Sequence, residues 1–182
     1  MVAQARQPAL YTDLGVPDSR DGRLELVYLH AILVMRRLRT EGRPGQELAQ
    51  DLFDLLFRDL DRHLREWGVG DLSVGKQVKT LAHNFLGRAA ALDPLLDGSD
   101  PEAMEALMRR SVYEGVAEPA AADVRRLGRY VSAQHRQLAL VDGTVLLAGH
   151  IRFAAPEQDG DHSPVDMATL GQHRVDPRKL QA

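Results

Sequence analysis

The chain has 182 residues, no cysteine and a formal net charge of −3, with 44% hydrophobic, 27% charged and only 5% aromatic residues. That length suits one domain, and the absence of thiols excludes disulfides, iron–sulfur ligation, thiolate zinc sites and cysteine nucleophiles. The mild acidity excludes a general electrostatic pull toward nucleic acid, and a core built from Leu, Ala and Val favours helix over strand.

Residues 1–20 carry the breakers Pro8, Gly15 and Pro17 and read as an irregular N-terminal arm. A helix is predicted over 22–41, behind Asp21. Its apolar residues, among them Leu26, Leu29, Ile32, Leu33 and Val34, fall on nearly every side, as expected of a central helix. Its leading run is too short to span a bilayer, and the mixed first ten residues do not read as a secretory signal, so a cytoplasmic home is expected. Gly42, Pro44 and Gly45 are expected to end it.

A second helix is predicted over 46–67. Leu48, Leu52, Leu55, Leu56, Leu60 and Leu64 recur at spacings of three and four, which puts them on one stripe. Gly68 then suits the left-handed position after a helix, and Asp71 suits an N-cap. The third helix comes next, with Val74, Val78, Leu81, Phe85 and Leu92 on one face and Lys76, Lys79, His83 and Arg88 on the other.

Ser99 and Glu102 have capping-box spacing around Pro101, so a shorter helix is predicted from there to about residue 113. Another is predicted over 119–141, opened by Pro119 and carrying Val124, Leu127, Val131 and Leu138. Asp142-Gly143 signals a turn, and 144–153 reads as a short extended segment. Residues 154–182 have little apolar pattern and are expected to form a disordered tail. The expected fold is an all-α, single-domain multi-helix bundle over 21–153.

Residues that could carry chemistry do not assemble into a pattern. Gly70 to Lys76 imitates a phosphate-binding loop, but Gln77 stands where a magnesium-holding Ser or Thr is required, and the segment comes after an amphipathic helix rather than a strand. The seven histidines form no i,i+4 pair, so no zinc site is expected; His30, in the most apolar helix, reads as a hydrogen-bonded core residue. No serine sits in a nucleophile elbow, and there is no basic stripe with interleaved aromatics to bind DNA. No catalytic activity, cofactor or metal is expected.

What capping and periodicity do not demand is the run from Asp61 to Lys76. It holds Gly70 and Gly75 beyond the one glycine a helix end needs, and Lys76 and Lys79 are two of only three lysines in the chain. A glycine inside a helix costs about 1 kcal/mol against Ala, which suggests close approach by a neighbouring helix or a partner. Leu64-Arg65-Glu66 with Gly68-Val69-Gly70-Asp71, Val74 and Lys76 resembles a segment of the ubiquinol–cytochrome c chaperone family. The likeness extends upstream to Tyr11, the Gly15-Val16-Pro17-Asp18 turn and Leu29-His30. Downstream it reaches Phe85-Leu86-Gly87-Arg88 and Val112-Tyr113, though Leu92 and Ser111 stand where an aromatic and an asparagine are usual.

This resemblance implies an all-helical, non-catalytic chaperone that assembles respiratory complex III. It implies as client newly made cytochrome b or another complex III subunit, with a small helical partner protein or the ribosome alongside. The site residues carried over are Arg65, Glu66, Val69, Asp71, Val74, Lys76, Lys79 and Arg88. The expected location is the cytoplasm, with peripheral association at the inner membrane left open. The alternative is a generic helical adaptor of the same fold with a different client.

Overall fold

The structure, a computed structural model, describes residues 1–98 and 100–155. Among these there are eight helices and no strand: α1 (Val2–Ala5), α2 (Pro8–Thr12), α3 (Arg20–Arg39), α4 (Gly42–Glu66), α5 (Asp71–Asp97), α6 (Pro101–Arg110), α7 (Ala121–Ala139) and α8 (Gly143–Leu147). Ser99 and the segment 156–182, expected as a capping residue and a disordered tail, lie outside the described residues.

Helix α3 is the axle of the bundle. Ser19 caps it, accepting from the Gly22 backbone N–H at 3.1 Å, which satisfies one of its four orphan donors. From Tyr28 through Met35 every residue is buried, because α1, α4, α5, α7 and α8 all pack against it. At its far end, the Arg37 guanidinium donates to the Leu138 carbonyl at 3.1 Å and the Val141 carbonyl at 2.6 Å, tying α3 to the end of α7. A cation there also meets the negative end of the α7 dipole.

Four elements depart from their expected bounds, each for a local reason. The N-terminal arm is not irregular: Pro8 occupies the first turn of α2, where its missing N–H costs nothing, and Ala5, Leu10, Leu14 and Val16 bury the arm in the core. Helix α4 begins at Gly42, since Pro44 falls in the first turn and is tolerated there. Asp100 caps α6, accepting from the Ala103 N–H at 2.9 Å, and the helix ends at Arg110 rather than near 113. Residues 143–147 are helical rather than extended. Asp142 accepts from the Thr144 N–H at 2.8 Å and Leu146 is buried, so cap and burial outweigh the β-branched Thr144 and Val145.

The long helices α4 and α5, each about 40 Å from end to end, form a hairpin that packs on α3. An aromatic cluster fastens them there. Phe85 of α5 meets Tyr28 of α3 edge-on with ring centroids 5.2 Å apart, and lies 5.6 and 5.7 Å from Phe53 and Phe57 of α4. Such edge contacts add roughly 0.5–1.5 kcal/mol per pair beyond the burial of the rings. Tyr28 also donates its hydroxyl to the Leu81 carbonyl at 3.1 Å.

Candidate functional site

The bend between α4 and α5 forms as its sequence dictates. Gly68 takes a left-handed φ of 80°. The Gly68 N–H reaches the Arg65 carbonyl at 3.0 Å and the Val69 N–H reaches the Leu64 carbonyl at 3.1 Å. This pair of bonds satisfies carbonyls that the helix end would otherwise orphan. Gly70, not Asp71, is the N-cap of α5. The Asp71 carboxylate instead accepts from Arg65 at 2.6 Å, and Arg65 also holds Asp61 at 2.7 Å. The bend is therefore braced by a small, largely exposed network in which one guanidinium holds two carboxylates.

Between this bend and the start of α3 lies a groove of about 1070 Å³. Leu24 and Val27 of α3, Leu56 and Leu60 of α4 and Leu81 of α5 supply apolar walls. Their spacing places them there: residues 56 and 60 are one helical turn apart, as are 77 and 81. Arg6, Arg20 and Lys76 stand around the groove, with no carboxylate within ion-pair distance among the described residues. Arg23 also lines it but is held by Asp18. Trp67 closes the end near the bend. Its ring is 52% exposed, and the Arg20 guanidinium lies 4.3 Å above it. A half-exposed tryptophan stacked by a cation beside an apolar groove has the composition of an interface anchor.

The eight residues expected to bind a partner have different surroundings. Lys76 lines the groove. Lys79 is exposed and does not line the groove. Arg65 and Asp71 pair with each other, and Glu66 sits 4.0 Å from Arg62. Val69 is half-buried in the bend. Val74 is 0% exposed and has no side-chain surface to offer a partner. Arg88 is drawn inward to Glu25, with Nε 3.1 Å from a carboxylate oxygen, and reaches Glu114 at 3.3 Å. It fastens α5 to α3, and burial nonetheless pushes the Glu25 carboxyl upward.

Sequence reasoning pointed to an apolar groove beside the bend but did not place Trp67 or Arg20 in it or locate its walls. The signal lay in the breadth of the apolar stripe on α4: Leu56 and Leu60 lie on the side that faces α3 without being covered by it. Of the two readings left open for Gly75, approach by a neighbouring helix or by a partner, the first is not seen among the described residues. A Cβ placed on Gly75 or Gly87 would meet nothing within 4 Å, so no helix among the described residues explains either glycine.

Two further features bear on chemistry. His30 is 1% exposed, as expected of a core histidine. Its Nδ1–H donates to the Leu26 carbonyl at 2.7 Å, so Nε2 accepts from the Tyr130 hydroxyl at 2.8 Å, which in turn accepts from Gln4 at 2.9 Å. Burial lowers the imidazole to a pKa of about 4 and raises the Tyr130 hydroxyl to about 12. Among the described residues no group of three or more His, Asp and Glu could hold a metal ion, and no helix is long and apolar enough to cross a membrane.

The arrangement defines a class: an all-helical protein whose assembled surface feature is a cation-rimmed apolar groove on a helical hairpin. Comparison with known proteins gives the family. The sequence pattern of the ubiquinol-cytochrome C chaperone family matches residues 12–153, and the chain belongs to that family. A crystal structure of the Cbp3 homolog from Brucella abortus superimposes with a TM-score of 0.78 at 35% identity, covering 86% of each chain. Ubiquinol-cytochrome c reductase complex assembly factor 1 of Mus musculus is 23% identical over 139 residues, which is 76% of this chain. The chain spans only 46% of that relative's length.

Proposed function

We propose that this protein is an assembly chaperone for ubiquinol–cytochrome c reductase, and that the groove between α3, α4 and α5 docks the client. The observation that carries the reading is the combination of Trp67, an apolar wall and Arg6, Arg20 and Lys76 in one open groove, in a chain of the chaperone family. The client is newly made cytochrome b or another complex III subunit. The reaction class is holding, not bond-making.

The physics of such a holdase is modest. Each Leu-sized side chain that a client lays against the groove contributes about 1.5–3 kcal/mol by leaving water. The rim cations orient the client and speed encounter more than they add affinity. Binding of this strength is released when cofactor insertion or subunit docking offers the client a better-matched apolar surface. A location at the cytoplasmic face of the inner membrane belongs to the same reading.

The test separates the two lysines. Cells lacking the gene are complemented with Lys76→Glu or with Lys79→Glu, and complex III is measured beside another respiratory complex. The reading expects complex III alone to fall with Lys76→Glu and to hold with Lys79→Glu, with both variants folded by circular dichroism. Normal complex III in the gene deletion itself would refute the chaperone role and favour a helical adaptor with another client.

A further inference from the structure

Helix α4 carries its outward-facing charge in two blocks. Glu47, Asp51 and Asp54 come first, and Arg58, Arg62 and Arg65 follow, all exposed and at spacings that keep them on one side. The buried residues Ala49, Phe57 and Leu64 lie on the other side. Leu55 stands between the blocks and is 49% exposed. The helix macrodipole favours acids at the start and cations at the end, but it acts only over the first and last turns. Asp51, Asp54 and Arg58 sit in the third to fifth turns, beyond its reach.

Pairing within the helix does not account for these three either. Asp54 and Arg58 are one turn apart in the order that favours an ion pair. They are not joined, and Asp54 accepts from the Gln50 amide at 2.8 Å instead. Among the described residues neither Asp51 nor Arg58 has an ion-pair partner, whereas the outer members are held, Glu47 by Arg43 at 2.8 Å and Arg65 by Asp61 at 2.7 Å. The unmatched charges are the middle ones, around Leu55.

A face with acids in one half and cations in the other is complementary to itself when turned end for end. A two-fold axis between positions 56 and 57 sets Asp51 opposite Arg62 of the second copy. It lays Leu55 on the stem of the second copy's Arg58, whose guanidinium then meets Asp54. Residues 51, 55, 58 and 62 alternate spacings of four and three, the repeat by which paired helices keep a seam in register. We propose that α4 pairs antiparallel with α4 of a second copy of this chain through this seam.

The contact is isologous, so each cross-pair forms twice. From residue 47 to residue 65 the face is about 27 Å long. One helix pair of that length buries less than the roughly 1,200 Å² of a stable complex, so the dimer is weak and charge sets its register more than its strength. None of the four seam residues lines the groove, so the pairing does not depend on what the groove binds.

Sedimentation velocity of the full chain at low salt, up to about 1 mM protein, reads this association. Two full-length variants each reverse one block: Asp51→Lys with Asp54→Lys, and Arg58→Glu with Arg62→Glu. All four positions are exposed, so both variants should keep the parent's circular dichroism. Each variant alone sets like charges face to face and should self-associate at least about ten-fold more weakly than the parent. Mixed in equal amounts, the two should form a heterodimer at least as readily as the parent dimerises. Added salt should dissociate the parent. Arg125→Glu with Arg129→Glu, on exposed positions of α7, makes the same change in net charge as the second variant and should leave the dimer intact.

A parent chain still monomeric at the highest concentration would overturn the proposal. So would a dimer that survives either block reversal, a mixture of the two variants that fails to associate, or equal weakening by the α7 control. None of these results touches the complex III phenotype, so the pairing and the chaperone reading fail independently.

Discussion

Two ends of this molecule use the same helix in opposite ways. Around the middle of α3, polar groups are buried and satisfied: His30, Tyr130, Gln4 and Gln134 form a hydrogen-bonded web that clasps Ala154. At the start of α3, facing the α4–α5 bend, apolar groups are left uncovered. There Trp67 is half exposed, Leu72 is fully exposed, and Arg20 stacks on an indole instead of pairing with an acid. Burying a polar side chain is safe only when each donor and acceptor is matched, whereas leaving apolar surface wet is a cost that only a partner removes. The closed end is built for stability, and the open end is where we propose contact.

Breaking the link between the two ends should have the largest effect. Phe85 is 1% exposed and joins α5 to Tyr28, Phe53 and Phe57. Replacing it with Ala is expected to cost about 3–5 kcal/mol, from lost burial plus an unfilled cavity. Denaturant unfolding checks this. A loss under about 1 kcal/mol, far below the usual cost of such a truncation, would mean that the hairpin docks on α3 by other contacts.

Acid should attack the closed end first. His30 is lowered from 6.5 to about 4 in the folded chain by burial, so between those values the unfolded chain takes up a proton that the folded chain refuses. Stability attributable to His30 is complete above pH 6.5 and declines as pH falls toward 4, by roughly 3 kcal/mol in total. The readout is the difference between the parent and His30→Gln: the parent's unfolding free energy should fall more steeply across this window. Identical slopes would show that the imidazole is not held neutral.

The smallest expected effect has the opposite sign and probes the open end. Gly75 is exposed in the second turn of α5, with open space where a Cβ would stand. Gly75→Ala should therefore stabilise the chain by about 1 kcal/mol. Measured together, melting temperature and complex III content show how far round α5 a partner extends. A more stable variant with less complex III places the partner's backbone against Gly75. A more stable variant with normal complex III confines docking to the groove.

The closed end was largely legible in the sequence. Period and burial go together for residues packed on all sides, so the apolar run of α3 announced a central helix and His30 announced a core histidine. The Gly68 helix end was equally readable, because left-handed backbone leaves few alternatives to glycine. The arm escaped for want of context: Pro8 reads as a breaker until its place in a first turn is known. Residues 143–147 escaped because β-branched side chains favour extension, while Asp142 decided for a helical turn.

The open end was half legible. The unusual spelling from Asp61 to Lys76 drew attention to the α4–α5 bend, which forms as expected, and resemblance to the chaperone family gave it meaning. Yet the residues chosen there were those that looked distinctive, and distinctiveness does not separate bracing from binding. Arg65 with Asp71, and Arg88 with Glu25, are braces. Only Lys76 of the eight reaches the groove, whose other parts come from α1, α3, the second half of α4 and other positions on α5. A surface assembled from four helices leaves only a partial signature on any one of them, here the broad apolar stripe of α4.

Photo-crosslinking in cells tests the central claim most directly, with the reactive group placed at Lys76 in the groove and, separately, at the exposed Arg129 of α7, which does not line it. Mass spectrometry then identifies what each position captures. A complex III subunit taken from position 76 and not from 129 is the predicted result. Equal capture from both positions, or complex III subunits recovered only from α7, would contradict it.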